Sequence, residues 1–336
     1  MQRFLTVLIL FSLVVPLASS AMAAETDSIV VYSARKEHLI KPLFKRYTQQ
    51  TGTEIRYVTG KAGALLQRIK NEGPQTQADL LLTVDAGNLW HAANEGILAP
   101  IDSPALESNV PDRYQDPDNR WFGLSVRART IVYSTERVDP DNLSTYAGLA
   151  QGRWQDRLLL RTSKKVYNQS LVASLIEAHG AEKTKKIVAG WVDNLAVAPL
   201  SSDTKVLKSI LAGVGDVGIV NTYYFGRLQK ENPDLPLALF WPNQDNGGVH
   251  TNISGGGMVA HADNAEGAQD LLEWLSSAEA QGLFAGLNME YPVHPDVPAV
   301  EQVQNWGEFQ ASPLNVATYG ARQAEAVRLM DQVDYK

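Results

Sequence analysis

The sequence predicts an α/β protein with two lobes, each a mainly parallel sheet flanked by helices, and with two strands that cross between the lobes. Short apolar runs alternate with amphipathic segments from Ser28 onward, which indicates strand–helix units and therefore parallel sheets. Two sets of these units occur along the chain. An extended stretch at 121–134 separates the sets and another at 250–260 follows the second set, so both are positioned to connect the lobes.

The first set of units predicts the N-terminal lobe. Each of its apolar runs precedes a segment with helical spacing that ends near a glycine, a residue typical of helix C-termini. The runs lie at 29–32, 55–59 and 80–84, and the glycines are Gly52, Gly73 and Gly96. We expect this lobe to comprise residues 24–126 and about 251–300.

The second set predicts the C-terminal lobe, which we expect to comprise residues 127–250 and about 301–336. Its strands lie at 158–161, 217–220 and 237–241, and its helices begin near Gln169, Lys183, Lys205 and Tyr223. Helical segments follow at about 265–276, 279–287 and 316–333. Open parallel sheets bind ligands at the carboxyl ends of their strands, so the site is expected between the two lobes.

The first 23 residues have the pattern of a signal peptide. Arg3 precedes an apolar run, 4–17, and small residues end the segment at Ala21-Met22-Ala23. The apolar run is shorter than a membrane-spanning helix needs. We therefore expect cleavage near Ala24 and a mature protein in the periplasm, without stable insertion in the membrane.

Composition excludes several kinds of site. The chain has no cysteine, which excludes disulfides, thiolate metal ligands and a lipidated cysteine anchor. The net charge of −7 argues against nucleic acid as a partner. The six histidines are scattered without metal-ligand spacing, and the zincin, nucleophile-elbow and phosphate-loop motifs do not occur.

The most informative segment is the strand at 217–220 with the turn that follows it. The strand leads through Asn221-Thr222 to Tyr223 and Tyr224, at the carboxyl end where a ligand would bind. A helix N-terminus favours phenolate over phenol, and a bound cation favours it further. Paired phenolates suit a hard trivalent cation. The alternative is that the two tyrosines only pack in the core or at an interface.

Tyr167 occupies the equivalent place after the strand 158–161, directly before Asn168 and Gln169. An Asn or Ser cap at this helix start would present free backbone N–H groups to a small anion beside a metal. The alternative is a helix cap with no ligand.

Charged residues in the first lobe and on the first crossing strand are further candidates. Glu37 could present a carboxylate after the first strand, and His38 an imidazole, although a Glu in a first helical turn is also an ordinary dipole partner. Arg127 and Arg129 share one face of their strand. Each would bind either a carboxylate that stabilises the hinge or a carbonate-like co-ligand.

Six segments of the mature chain together resemble the periplasmic ferric-iron-binding proteins of ABC importers. They are Val31-Tyr32-Ser33-Ala34-Arg35, residues 78–85 (ADLLLTVD), residues 121–125 (WFGLS), residues 167–174 (YNQSLVAS), residues 221–224 (NTYY) and residues 290–293 (EYPV). The resemblance implies a two-lobe clamshell in which Tyr223, Tyr224 and Tyr167 bind Fe(III) from one lobe.

The chain departs from this family in the other lobe. Relatives supply a His or Tyr from the turn after the first strand, where this chain has Lys36 and Glu37. Glu37, a hard oxygen donor, is the expected substitute as fourth ligand. Arg127 matches an arginine that in similar proteins faces the cleft, near a carbonate or a tyrosinate, and Asn168 and Gln169 are expected beside it as anion contacts or supports of the ligands.

The resemblance implies a non-enzymatic function: capture of Fe(III), with or without a synergistic anion such as carbonate, and delivery to an inner-membrane ABC permease with its ATPase. We expect a monomer. Two alternatives remain. The same clamshell could bind an organic solute or an oxyanion through the tyrosines, or the protein could be a periplasmic hydrolase that uses Glu37 and Asp85.

Overall fold

The computed structural model describes residues 28–336, so the predicted signal peptide, residues 1–23, lies outside the described residues. The strands are β1 (Ile29–Ser33), β2 (Ile55–Thr59), β3 (Leu80–Val84), β4 (Phe122–Ser134), β5 (Leu158–Leu159), β6 (Val217–Asn221), β7 (Leu237–Phe240) and β8 (Thr251–Met258). The helices are α1 (Glu37–Thr51), α2 (Ala62–Glu72), α3 (Ala86–Asn94), α4 (Pro104–Asn109), α5 (Val166–His179), α6 (Ala181–Asp193), α7 (Asp203–Leu211), α8 (Thr222–Glu231), α9 (Ala265–Ser276), α10 (Ala278–Gly286), α11 (Glu301–Gln304) and α12 (Ala317–Gln332).

The strands follow the order β2-β1-β3-β8-β4-β6-β5, with β7 also paired to β4. In the first lobe β1 lies parallel to β2 and β3, and in the second β5 lies parallel to β6. The connections between the parallel strands of the first lobe contain helices, as parallel pairing requires. The crossing strands β4 and β8 are antiparallel to each other and to their other neighbours.

Strand β4 belongs to both lobes. Its residues Phe122–Ala128 pair with β8, whereas Arg129–Tyr133 pair with β6. The two long crossing strands predicted from the sequence are thus present, and the two-lobe α/β fold is confirmed. The division of the chain into lobes at 126/127, 250/251 and about 300 stays a prediction; the partner of β4 changes between Ala128 and Arg129.

Three successive glycines allow β8 to pack closely against its neighbours. A Cβ atom on Gly255 would lie 2.4 Å from the Phe122 carbonyl oxygen, and one on Gly257 would lie 2.4 Å from the Arg120 carbonyl oxygen. These distances are too short for any side chain. The glycine run therefore provides close backbone packing on the returning strand, and not a phosphate-binding loop.

The start of α5 differs from the prediction in a way that concerns the site. The helix begins at Val166 and not near Gln169, so Tyr167 lies within its first turn. The N-cap residue is Lys165, in an extended conformation and without a side-chain cap. Because Lys165 offers no capping side chain, the sequence contains no local signal for this helix start.

The last helix connects the two lobes. Gln323 of α12 pairs with His91 of α3 at 2.6 Å and donates to Gln169 of α5 at 2.7 Å. Gly320 allows α12 to lie against Trp90, since a Cβ atom there would be 2.4 Å from the Cβ of Trp90. Within residues 28–336, no helix has both the length and the apolar character to span a membrane.

Candidate functional site

A cavity of about 250 Å³ lies between the lobes and contains the tyrosines predicted from the sequence. Its lining residues come from both lobes and from the crossing strands: Ala34, Arg35, Lys36, Leu39, Val84, Arg127, Lys165, Tyr167, Tyr223, Tyr224, Arg227, Ser254, Asn288 and Glu290. A larger cavity of about 730 Å³ lies elsewhere, lined largely by prolines and apolar side chains between Pro111 and Ala311. The smaller cavity is the candidate site because it brings together the three tyrosines predicted from the sequence, Tyr167, Tyr223 and Tyr224, with Arg127.

Tyr223 and Tyr224 lie in the first turn of α8, directly after the fully buried strand β6. Their ring centres are 4.5 Å apart and the rings are tilted by 34°. The Asn221 side-chain amide donates to the Tyr223 hydroxyl at 3.3 Å. Tyr223 is buried, whereas Tyr224 is partly exposed, so the pair extends from the interior to the rim of the cavity.

Tyr167 reaches the same cavity from the first turn of α5 and is also buried. Burial raises the pKa of Tyr167, against the influence of Arg127. Burial likewise raises the pKa of Tyr223 well above its ordinary value, and Tyr167 and Tyr224 act in the same direction. Both side chains are therefore neutral phenols at neutral pH unless a cation compensates for the loss of their protons.

Arg127 is a buried guanidinium with unused hydrogen-bonding capacity. It is only 2% exposed, and neither terminal nitrogen, Nη1 or Nη2, has a hydrogen-bond partner within residues 28–336. Nη2 lies 3.6 Å from the Asp85 carboxylate, and Cζ lies 5.2 Å from the Tyr167 ring centre. A buried donor group of this kind favours an anion or a phenolate in the cavity.

Arg129, two residues along the same strand, has a different role. Its guanidinium donates to the Asn168 side chain at 2.6 Å and 3.0 Å, to Asp203 at 3.0 Å and to Asn221 at 3.0 Å. Asn168 lies in α5 and Asn221 precedes α8, the two helices that carry the tyrosines, whereas Asp203 begins α7. Of the two alternatives for this arginine, the structure favours a carboxylate partner that stabilises the scaffold.

Asn168 and Gln169 do not face the cavity. The Asn168 amide donates to the Arg161 carbonyl at 2.6 Å and accepts from Arg129. Gln169 donates to the Ser163 carbonyl and accepts from Gln323. The predicted cap is wrong, because the helix starts at Val166 and its N-cap residue is Lys165, which has no capping side chain.

Glu37 is not brought to the tyrosines. Its carboxylate accepts from the Tyr57 hydroxyl at 3.1 Å and from Lys41 at 3.4 Å, and it lies outside the cavity lining. These two bonds also lower the pKa of Glu37. The reason is positional: Glu37 is the first residue of α1, so its side chain projects towards β2, while the N-cap residue Lys36 lines the cavity.

Asp85, the other member of the alternative hydrolase pair, is fully buried at the start of α3. It accepts from the Ser170 hydroxyl at 2.7 Å and from the Asn252 amide at 3.0 Å. Neither Asp85 nor Glu37 lines the cavity, so the two carboxylates do not form an acid–base pair there.

Several charged residues of the site were not singled out from the sequence. Arg35 forms a buried ion pair with Glu290 at 3.2 Å. Arg227 lies with its Cζ 5.1 Å from the Tyr223 ring centre, and its position four residues after Tyr223 on one helix was a usable signal. Burial lowers the pKa of Lys165, and the positive charge of the nearby Arg161 lowers it further.

The cavity is strongly electropositive. Arg35, Lys36, Arg127, Lys165 and Arg227 line it, against the single carboxylate of Glu290. A bare cation would be repelled, so a metal would bind here only with anionic ligands. No group of three or more His, Asp or Glu side chains in residues 28–336 is arranged to bind a metal ion, which leaves the tyrosines as the candidate metal ligands.

Comparisons of this chain with known proteins agree on the family to which it is similar. Residues 75–311 match the family described as bacterial extracellular solute-binding protein. The chain is 41% identical over 318 residues to iron uptake protein A1 of Synechocystis, which covers 93% of this chain and 88% of that protein. It is 28% identical over 283 residues to the Fe(3+)-binding periplasmic protein of Serratia marcescens, covering 82% of each.

Solved structures agree. The Trichodesmium protein IdiA (FutA), in complex with iron and citrate, has a TM-score of 0.89 at 42% identity and covers 92% of this chain and 100% of that one. Ferric iron-binding protein A of Mannheimia haemolytica, in an open conformation, has a TM-score of 0.86 at 34% identity, covering 92% and 99%. With its family match and its relatives, the chain belongs to the bacterial extracellular solute-binding proteins, among homologues that bind ferric iron.

Proposed function

We propose that this chain binds Fe(III) between its lobes in the periplasm and delivers it to an inner-membrane ABC permease with its ATPase. One observation carries the proposal: Tyr167, Tyr223 and Tyr224 reach one cavity from the first turns of two helices. Phenolates are hard anionic ligands, the type that a small trivalent cation prefers. The protein acts by capture and closure, not by turnover.

Charge balance supports this cargo. Three phenolates supply three negative charges, which balance the three positive charges of Fe(III). In the absence of the metal, burial keeps Tyr167 and Tyr223 protonated by raising their pKa, although Arg127 acts in the opposite direction. Binding therefore exchanges protons for the metal, as expected for deprotonated ligands. Protonation of the phenolates would release the metal, as would its reduction to Fe(II) by one electron from an external reductant.

An anion is proposed to complete the coordination. Arg127 offers two buried nitrogens without hydrogen-bond partners, and four further cationic side chains line the cavity. Glu37, the fourth ligand predicted from the sequence, would have to leave Tyr57 and Lys41 to reach the metal. A carbonate or a polycarboxylate fits the charge, and the Trichodesmium relative was solved with iron and citrate.

Arg127→Gln is expected to remove the dependence of iron retention on the anion. Wild-type protein should retain more iron in bicarbonate or citrate than in an anion-free buffer. In bicarbonate and in citrate the variant should retain about tenfold less iron than the wild type, because charged hydrogen bonds contribute about 1.5–3 kcal/mol. Adding either anion should not raise the iron retention of the variant. Retention is measured by gel filtration and metal analysis. Arg153→Gln, an exposed arginine on the second lobe, is the matched control. An unchanged anion response in Arg127→Gln would contradict this role.

The proposed function is tested first by the visible absorption spectrum of the mature protein. Ferric citrate is added, the excess is removed and the spectrum is recorded together with the iron content. A broad band with an orange or red colour and about one iron per chain is expected from tyrosinate bound to Fe(III). A colourless protein that retains no iron would refute the proposal.

Binding of an oxyanion or an organic anion without metal is the second candidate, and the electropositive lining favours it. One relative, from Salmonella typhi, has a proposed role in binding 2-aminoethylphosphonate, and this chain is 26% identical to it over 280 residues. Thermal unfolding of iron-free protein with phosphate, a phosphonate or citrate separates the two functions. A large rise in Tm with an anion alone, together with a colourless iron test, would favour this candidate.

A further inference from the structure

A buried carboxylate lies behind the tyrosines, outside the cavity. Asp203, the first residue of α7, is fully buried. Its Oδ2 atom accepts from Arg129 at 3.0 Å, and its Oδ1 atom lies 3.6 Å from Nη1 of Arg161. Arg129 and Arg161 thus share the single negative charge of Asp203. One of the two positive charges is therefore not balanced within this group of three side chains.

Arg161 lies between Asp203 and the rim tyrosine. Its Nη1 atom is 3.4 Å from the Tyr224 hydroxyl oxygen, and this is the only hydrogen-bond donor to that oxygen within residues 28–336. The Arg161 side chain is 11% exposed, and its Nε atom has no hydrogen-bond partner in the same part of the chain.

The backbone of Arg161 is fixed independently of its side chain. Its carbonyl accepts from the Asn168 amide and from the Tyr335 hydroxyl, both at 2.6 Å. The residue also forms an isolated bridge with Leu200 after the end of β5. The guanidinium is therefore presented to Tyr224 from a rigid base, which is what preorganisation of a metal ligand requires.

We propose that Arg161, held by Asp203, is a positioning residue of the iron site that orients Tyr224 and offsets the negative charge of its phenolate. This inference rests on the proposed function. When Tyr224 binds iron as a phenolate, the 3.4 Å contact between the guanidinium and a neutral phenol becomes a hydrogen bond between opposite charges, which is shorter and stronger. The unpaired positive charge of the arginine pair then acquires its partner.

Two substitutions should move the charge-transfer band in opposite directions. Arg161→Gln removes the positive charge and makes the phenolate a stronger electron donor, so the band should shift to longer wavelength. Asp203→Asn keeps the shape but removes the negative charge that competes for Arg161, so the band should shift to shorter wavelength. In Arg161→Gln, iron retention against citrate should fall about tenfold, the effect of one charged hydrogen bond.

The experiment compares these variants with wild-type protein and with Arg153→Gln, in which the band should not move. Circular dichroism checks whether each variant folds. If only one of them folds, the direction of its band shift still tests the prediction made for that variant. Bands at the wild-type wavelength in both variants, or shifts of the same sign, would overturn the role of Arg161. A colourless wild-type protein would instead overturn the proposed function itself, so the two failures are distinguishable.

Discussion

Tyr223→Phe is expected to abolish most of the visible band of the iron complex and to lower iron retention more than about a hundredfold. Removing even an outer-shell partner of a metal ligand costs about 10- to 100-fold in affinity, and Tyr223 is a proposed ligand. The side chain is buried at the centre of the cluster, 4.5 Å from Tyr224 between ring centres, so no water replaces the lost oxygen without rearrangement. The measurement is the visible spectrum with iron analysis.

Tyr133→Phe is the matched control for this substitution. Tyr133 lies on β4 in the same lobe and does not line the cavity. The substitution Tyr133→Phe removes a tyrosine hydroxyl without changing the site, so the spectrum of this variant should equal that of the wild-type protein. A full-strength band in Tyr223→Phe would contradict the ligand assignment.

Iron binding is expected to release at least two protons per metal ion and to weaken steeply in acid. Burial raises the pKa of both Tyr167 and Tyr223, so both side chains carry their protons at neutral pH in the iron-free protein. Each must lose its proton to become a ligand. Affinity at constant free Fe(III) should therefore fall about tenfold per unit decrease in pH for each tyrosine, or about a hundredfold for the two.

Proton release is measured by titrating weakly buffered protein with a ferric chelate of known protonation and recording the base needed to hold the pH. The chelate alone is the blank, and Tyr223→Phe should release at least one proton fewer. Release of no protons beyond the blank would show that the tyrosines are not converted to phenolates.

The tyrosine cluster could be predicted from the sequence because its position depends on local signals. Each tyrosine follows an apolar strand, and the carboxyl ends of strands in facing sheets meet at one cleft. The fold was predictable for the same reason: strand–helix alternation and two long extended stretches are periodic patterns. The structure adds that β5 has only two residues, so Arg161 lies beyond the strand to which it was assigned.

The orientation of single side chains was not predictable in the same way. Lys36 and Glu37 are adjacent, and a shift of one residue in a helix start rotates a side chain by about 100°, given 3.6 residues per turn. Arg127 and Arg129 lie two residues apart on β4, as the sequence places them, but their partners come from distant segments. Asp203 binds Arg129, across 74 positions of sequence. No local pattern contains that information.

The shared strand β4 has a consequence for the order of events during loading. If the lobes rotate about their crossing strands, the displacement of each residue grows with its distance from that axis. Arg127 lies beside the point where the partner of β4 changes from β8 to β6, so it would move little. Lys36 follows β1, which is separated from β8 by β3, so it would move further. An anion on Arg127 would keep its distance to Tyr167 throughout. In that case Arg127 and the tyrosines would form a fixed half-site, and the opposite side of the cavity would close on it last.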